Sequence, residues 1–105
     1  MGRIVFAVYR PHEGKEMQLL ELVQEHMPIL KSQRLITDRK PIVMQSKDKT
    51  VVEIFEWQSA EAIAQAHQNP VVQDLWNRFA EVCEYDKPSN VSEFHDMFSE
   101  FEPIN

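Results

Sequence analysis

The stretch TVVEIFEWQSAEAIAQAHQNPVV, from Thr50 to Val72, leaves the fold little freedom. Val51 and Phe55 alternate with Val52 and Ile54, so Val51 to Trp57 reads as a strand with apolar residues on both faces. Ser59 is placed to cap a short helix, and Glu61 complements its positive N-terminal end. Asn69-Pro70 cuts that helix and begins another, with Asn as cap and Pro at the first helical position, where an N–H is not needed. Trp57 at the strand end and His67 at the helix end therefore flank one structural junction.

The same reasoning extends along the chain. Ile4 to Tyr9 is apolar on both alternating faces and predicts another strand covered on two sides. Arg10 to Gly14 is a turn. A helix follows from about Glu16, with Met17, Leu20, Val23 and Met27 as its apolar stripe and Leu19, Leu22 and His26 beside it. Pro28 should end or kink that helix. Leu35 to Ser46 reads as a second strand, with Pro41 marking an edge, a bulge or a break. Lys47-Asp48-Lys49 is a hairpin turn that pairs this strand antiparallel with Val51–Trp57. Val72, Leu75, Phe79 and Val82 make the stripe of the last long helix, flanked by Trp76 and Cys83. A fourth strand belongs somewhere after residue 82. Beyond Pro88, Val91, Phe94, Phe98 and Phe101 recur at helical spacing, and Asn90 with Glu93 resembles a capping box.

The order strand, helix, strand, strand, helix, strand is the split pattern of a ferredoxin-like α+β fold. The chain's 105 residues fit one domain, with residues 88–105 a Phe-rich extension. Two helices cover one face of a four-stranded sheet. The other face carries Ile4, Phe6, Val8, Val52 and Ile54 and needs cover as well, so a second copy of the chain is expected there.

Composition excludes several classes of function. The net charge is −6, with 17 acidic and 11 basic residues, and only the interrupted run Arg34 to Lys40 concentrates positive charge. Nucleic acid is not the expected partner. Ile4–Tyr9 is too short for a membrane span, so no membrane partner is expected. A single cysteine, Cys83, points to a reducing cytoplasm and to a buried thiol rather than a nucleophile. With only Gly2 and Gly14, the chain has no phosphate-cradling loop. His12, His26 and His95 show no metal-ligand spacing. Neither cofactor nor metal is expected.

Phe55-Glu56-Trp57-Gln58-Ser59, Ala62 to His67 and the Asn-Pro helix start together resemble the antibiotic biosynthesis monooxygenase-like family of dimeric α+β barrels. The resemblance covers about residues 3 to 85. It implies two subunits packed sheet to sheet, with a pocket between sheet and helices in each. Members of that family include cofactor-independent oxygenases of quinols and polyketides, haem-degrading enzymes and proteins without assigned activity. Haem degradation is disfavoured: the first strand has no Asn, and no His lies between Pro70 and Tyr85.

The chemistry that this resemblance implies is oxidation of a small aromatic or quinol, without a cofactor. His67 is the candidate base, because imidazole titrates near neutrality; otherwise it is a helix-end residue facing the last carbonyls. Tyr9 is the second catalytic candidate, positioned to orient a hydroxyl. Trp57, Phe55 and Glu56 are the expected substrate-binding residues, Trp57 as a wall for a flat ligand. Glu53 and Glu56 fall on opposite strand faces, and at least one should be partly buried, as a base with a raised pKa; the competing explanation is pairing with Arg34, Arg39 or Arg78, or exposure near the strand end. The competing reading is a homodimer that binds a small organic ligand, or only supports structure, without chemistry.

Overall fold

The computed structural model describes residues 1–105. Strand β1 (Arg3–Pro11), helix α1 (Glu16–Ser32), strands β2 (Ile42–Gln45) and β3 (Val51–Trp57), helices α2 (Ala60–Ala66) and α3 (Pro70–Val82), and strand β4 (Cys83–Asp86) follow in order. Two 3₁₀ turns and a two-residue strand, β5 (Glu102–Pro103), complete the chain. The sheet runs β4-β1-β3-β2-β5, with every neighbouring pair antiparallel. This is an α+β domain compatible with a ferredoxin-like fold, extended at one edge by β5.

Register assigns each residue of the two central strands to a face. Tyr9 lies opposite Val51, Ala7 opposite Glu53 and Val5 opposite Phe55. These residues face the helices; Ile4, Phe6, Val8, Val52 and Ile54 face away. Under the helices, one core cluster gathers Tyr9, Leu19, Leu22, Val51, Leu75 and Phe79. A second gathers Leu30, Leu35, Phe55, Trp57, Ala66 and Val72. Burying one such large side chain contributes about 1.5–3 kcal/mol. The caps act as their residue types require: Ser59 Oγ accepts from Ala62 N at 3.1 Å, and Asn69 Oδ1 from Val71 N at 2.9 Å.

Four local expectations need correction. The buried stripe of α1 is Leu19, Leu22, Val23, His26 and Leu30, while Met17 is 73% exposed. Two stripes one residue apart both satisfy helical spacing, and contact with the sheet selects between them. Helix α1 also runs through Pro28 to Ser32; Pro28 lies on the exposed side, where the missing bond costs least. The second strand pairs only over Ile42–Gln45, with an isolated bridge from Ile36 to Trp57. Pro41, having no N–H to give the ladder, sits immediately before it.

The fourth correction is the tail. No helix forms after Pro88, only 3₁₀ turns at Pro88–Asn90 and Ser92–His95. Glu93 does not close a capping box; its Oε2 accepts Lys47 N at 3.0 Å instead. The tail crosses the sheet face opposite the helices. Val91 packs with Val8 and Val52, and Phe94 lies against Phe6 and Phe101 at centroid distances of 6.1 and 5.0 Å. Phe98 remains 79% exposed.

Candidate functional site

A cavity of about 360 Å³ opens between the sheet and the helices. Strands β1 and β3 floor it with Val5, Ala7, Tyr9, Phe55 and Trp57, which all project to the helix side of the pleat. His26 enters from α1, His67 from the end of α2, Trp76 from α3 and Tyr85 from β4. The break at Asn69-Pro70 brings His67 and Trp76 together, with ring centroids 5.1 Å apart and edge to face. Tyr85 reaches the cavity because it lies opposite Tyr9 in the β1–β4 register. A larger hollow of about 600 Å³ runs along β2 and the tail, but it has no comparable set of convergent polar groups.

The cavity ends on a buried polar cluster. Glu53, at the middle of β3, is fully buried. Its Oε1 accepts the Tyr9 hydroxyl at 2.7 Å and lies 2.7 Å from His26 Nδ1. A carboxylate oxygen only accepts, so His26 Nδ1 carries the proton in this contact. Nε2 is then the ring's free nitrogen. It is buried without a hydrogen-bond partner in the protein, as is Glu53 Oε2. The imidazole is clamped edge to face between Phe55 and Phe79, at 5.4 and 5.2 Å. Tyr9 stacks on Phe79 at 5.1 Å. Aromatic packing and a carboxylate thus fix the His26 ring in both position and tautomer.

Burial keeps both tyrosines of the cavity protonated. Burial, and then the Glu53 charge, holds the Tyr9 hydroxyl well above its ordinary range, so Tyr9 donates and keeps its proton. Burial, followed by Cys83 and Glu53, pushes Tyr85 up to about 12. Neither tyrosine supplies a base near neutrality. Cys83 is inert for the same reason: burial raises its thiol to about 11, and its Sγ donates to Phe79 O at 3.2 Å.

The structure therefore brings Tyr9, Phe55, Trp57 and His67 to one cavity. It does not bring Glu56 there. Glu56 lies on the opposite strand face, where it accepts from Thr37 Oγ1 at 2.8 Å and pairs with Arg39 Nε at 3.0 Å. These two partners, Thr37 first, hold its carboxyl below the usual range. His67 is exposed at the cavity mouth, and its ring has the Trp76 edge as neighbour but no orienting carboxylate.

Sequence reasoning missed the His26–Glu53 pair. The expected guanidinium pairing is met at Glu56, by Arg39, and not at Glu53; Arg78 sits beside Glu25 and Asp74, at 3.4 and 3.6 Å. A signal was present on both sides. His26 continues the Leu19, Leu22, Val23, Leu30 stripe, and Glu53 interrupts the otherwise apolar row Val51, Phe55, Trp57 on one face of its strand. Each is a polar residue at a core position and must find a buried partner.

No three His, Cys, Asp or Glu side chains are grouped so that they could hold a metal ion. No helix is long and apolar enough to cross a membrane. No family model, no curated protein and no solved structure matches the chain.

Proposed function

We propose that the protein is a cofactor-independent, monooxygenase-like enzyme acting on a small aromatic or quinol-type substrate. The observation that carries this reading is an aromatic cavity ending on a histidine whose ring is held by a buried carboxylate. The cavity volume falls in the range that accommodates small organic ligands. Trp57, Phe55 and Trp76 offer faces and edges to a flat molecule, and His26 is the group that can take a proton from its hydroxyl.

His26 Nε2 accepts the substrate's acidic proton, and Glu53 Oε1 steadies the imidazolium through Nδ1–H. The Tyr9 hydroxyl remains on Oε1 throughout and keeps the carboxylate aimed. His67 and Trp76 guard the entrance. The deprotonated ring then reduces dioxygen itself. In an anthrone-type substrate the reacting ring carbon, CH₂ in the keto tautomer and conjugated with the ionised hydroxyl, bonds one oxygen atom and becomes the new carbonyl; its two hydrogens, one of them the proton held on His26, leave with the other oxygen as water. All four electrons come from the substrate, so no external reductant enters the balance.

We further infer that two copies pair through the sheet face opposite the helices. Ile4, Phe6 and Ile42 are 54, 48 and 53% exposed on that face, Phe6 even with the tail's Phe94 against it. Sedimentation should give a dimer at micromolar concentration; a stable monomer would remove this part of the proposal.

The competing reading, ligand binding without chemistry, draws on the burial of His26 Nε2. Oxygen uptake separates the two. With anthrone-type substrates, the enzyme reading requires protein-dependent oxygen consumption and one labelled oxygen atom in the product. Binding that perturbs tryptophan fluorescence without oxygen uptake across that panel would favour the binding module.

A further inference from the structure

The cavity between sheet and helices takes its charge from one buried residue. None of the side chains lining it is a lysine, arginine, aspartate or glutamate. Glu53 stands one side chain behind that lining: its Oε1 is 2.7 Å from the Tyr9 hydroxyl and 2.7 Å from His26 Nδ1, and both of those residues line the cavity. Glu53 is fully buried, so bulk water does not screen it. No lysine or arginine neutralises it. Arg78 pairs with Glu25 and Asp74, Arg39 with Glu56, Arg10 with Asp48 and Asp86, and Lys31 with Asp38. The one ion-pair contact of Glu53 is with His26. That ring carries its proton on Nδ1 and leaves Nε2 free, so it donates a hydrogen bond without cancelling the charge. A carboxylate held by two neutral donors leaves a net negative charge behind the cavity wall.

We propose that Glu53 sets the charge that the cavity accepts: the ligand enters uncharged, with its hydroxyl protonated, and anions of the same shape are turned away. Two like charges about one side chain apart, at an effective dielectric constant of about 20, repel enough to weaken binding tenfold or more. The cavity holds no arginine or lysine to offset that repulsion, and its apolar walls solvate a carboxylate poorly. For a hydroxyl substrate the rule has a chemical consequence. Proton transfer to His26 inside the cavity turns a neutral ligand and a neutral imidazole into an anion and an imidazolium, so the total charge is unchanged. A ligand that arrives already ionised brings a second negative charge and offers His26 no proton to take. Ionised phenols and carboxylated analogues are thus excluded by the same residue that steadies the base. The inference rests on this cavity being the ligand site, as proposed above, and not on the oxidation that follows.

Three ligands of one skeleton and different charge test this at neutral pH: naphthylmethanol, naphthoate and naphthylmethylammonium, with binding to the full chain followed by calorimetry. The alcohol and the ammonium should each bind tenfold or more tighter than the carboxylate. Desolvation weakens both ions, so the sign of the preference between them reports the field of Glu53. Glu53→Gln keeps an acceptor for Tyr9 and His26 and removes the charge. It should reduce the ammonium-to-carboxylate affinity ratio tenfold or more and leave the alcohol within a few-fold, whereas a merely structural role would change all three alike. The chain's net charge of −6 also repels anions, but in about 1 M sodium chloride the Debye length falls to about 3 Å and that long-range effect is screened. Discrimination by the unmutated protein should persist in such salt, which decides the question if Glu53→Gln folds poorly. Carboxylate binding as tight as the alcohol's, a ratio unmoved by Glu53→Gln, discrimination lost in salt, or binding of none of the three would overturn the proposal. A protein that consumes no oxygen gives the same binding answers, so the two proposals fail separately.

Discussion

The two faces of the sheet are built from alternate residues of the same strands, yet they differ in kind. On the helix side, Tyr9, Glu53, Phe55 and Trp57 are all at least nine-tenths buried and enclose a cavity with a polar cluster. On the other side, Val8 and Val52 are buried beneath Val91, while Phe6 and Ile4, two and four residues before Val8, are about half exposed. The first face is sealed by two long elements locked to the strands through core packing. The second is covered by a tail with little regular structure, pinned by a few polar contacts. Buried polar groups are tolerated where packing can orient them, and the face that has such packing is the one that carries the candidate chemistry.

The largest predicted difference between the faces is energetic. Glu53→Ala strands the His26 N–H and the Tyr9 hydroxyl in the interior, and should cost about 3–5 kcal/mol. Phe94→Ala, on the tail side, removes a half-buried ring from a partly open surface and should cost on the order of 1 kcal/mol. Urea unfolding of both variants checks the order. Equal costs would erase the distinction drawn between the faces.

Tyr9→Phe is a finer probe of the helix side. It removes one hydrogen bond from Oε1 while leaving His26 in place, and the ring continues to stack on Phe79. A loss of about 1–1.5 kcal/mol is expected from equilibrium unfolding. A cost as large as that of Glu53→Ala would mean that Tyr9, not His26, is the group the carboxylate chiefly stabilises.

How much of this contrast was legible beforehand depends on which residues carried it. Strand identity was legible, because Ile4–Tyr9 and Val51–Trp57 alternate without ambiguity. Tyr9, Phe55, Trp57 and His67 were legible as neighbours, because the strand–break–helix junction and the element order bring them together. The His26–Glu53 contact was not: it joins residues 27 positions apart, and pairing a helix residue with a strand residue needs the helix rotation. That rotation was read one stripe off, through Met17 and Leu20. The tail misled for a related reason. Phe94, Phe98 and Phe101 keep helical spacing, but β2 offers an open edge and the sheet an uncovered face. Pairing β5 with β2 and laying Phe94 on the sheet outweigh local helix formation.

Acid should loosen the tail face before the helix face. Arg10 binds the Asp86 carboxylate, and also bonds Thr50 Oγ1 at 2.9 Å and Asn90 O at 2.7 Å, tying the start of the tail to β1. Asp86 is held down to about 2, by Arg10 first and then by Asn90. Asp48 is likewise held down to about 2, by Ser46 first, and it sits 3.2 Å from Arg10. Both folded values lie below the ordinary value of about 4. Their contribution is therefore complete above that value and is lost as pH falls from about 4 through about 2. Amide exchange at Asn90 and Val91 should rise across that window, ahead of exchange at Phe55. Simultaneous loss of protection at both would indicate that the two faces unfold as one. Solvent screening keeps the effect small, because the Asp48 side chain is 63% exposed.

The account stands or falls on which histidine takes the proton. The direct measurement compares the turnover of an anthrone-type substrate, followed by oxygen uptake, in His26→Gln and His67→Gln, with ligand binding and folding checked in each. If His26, backed by Glu53, is the base, His26→Gln should lower kcat by about 10²–10⁴-fold while retaining ligand-induced changes in tryptophan fluorescence. His67→Gln should then alter KM and leave kcat within a few-fold. The reverse order, with kcat lost in His67→Gln and retained in His26→Gln, would contradict the account and move the chemistry from the buried cluster to the cavity mouth.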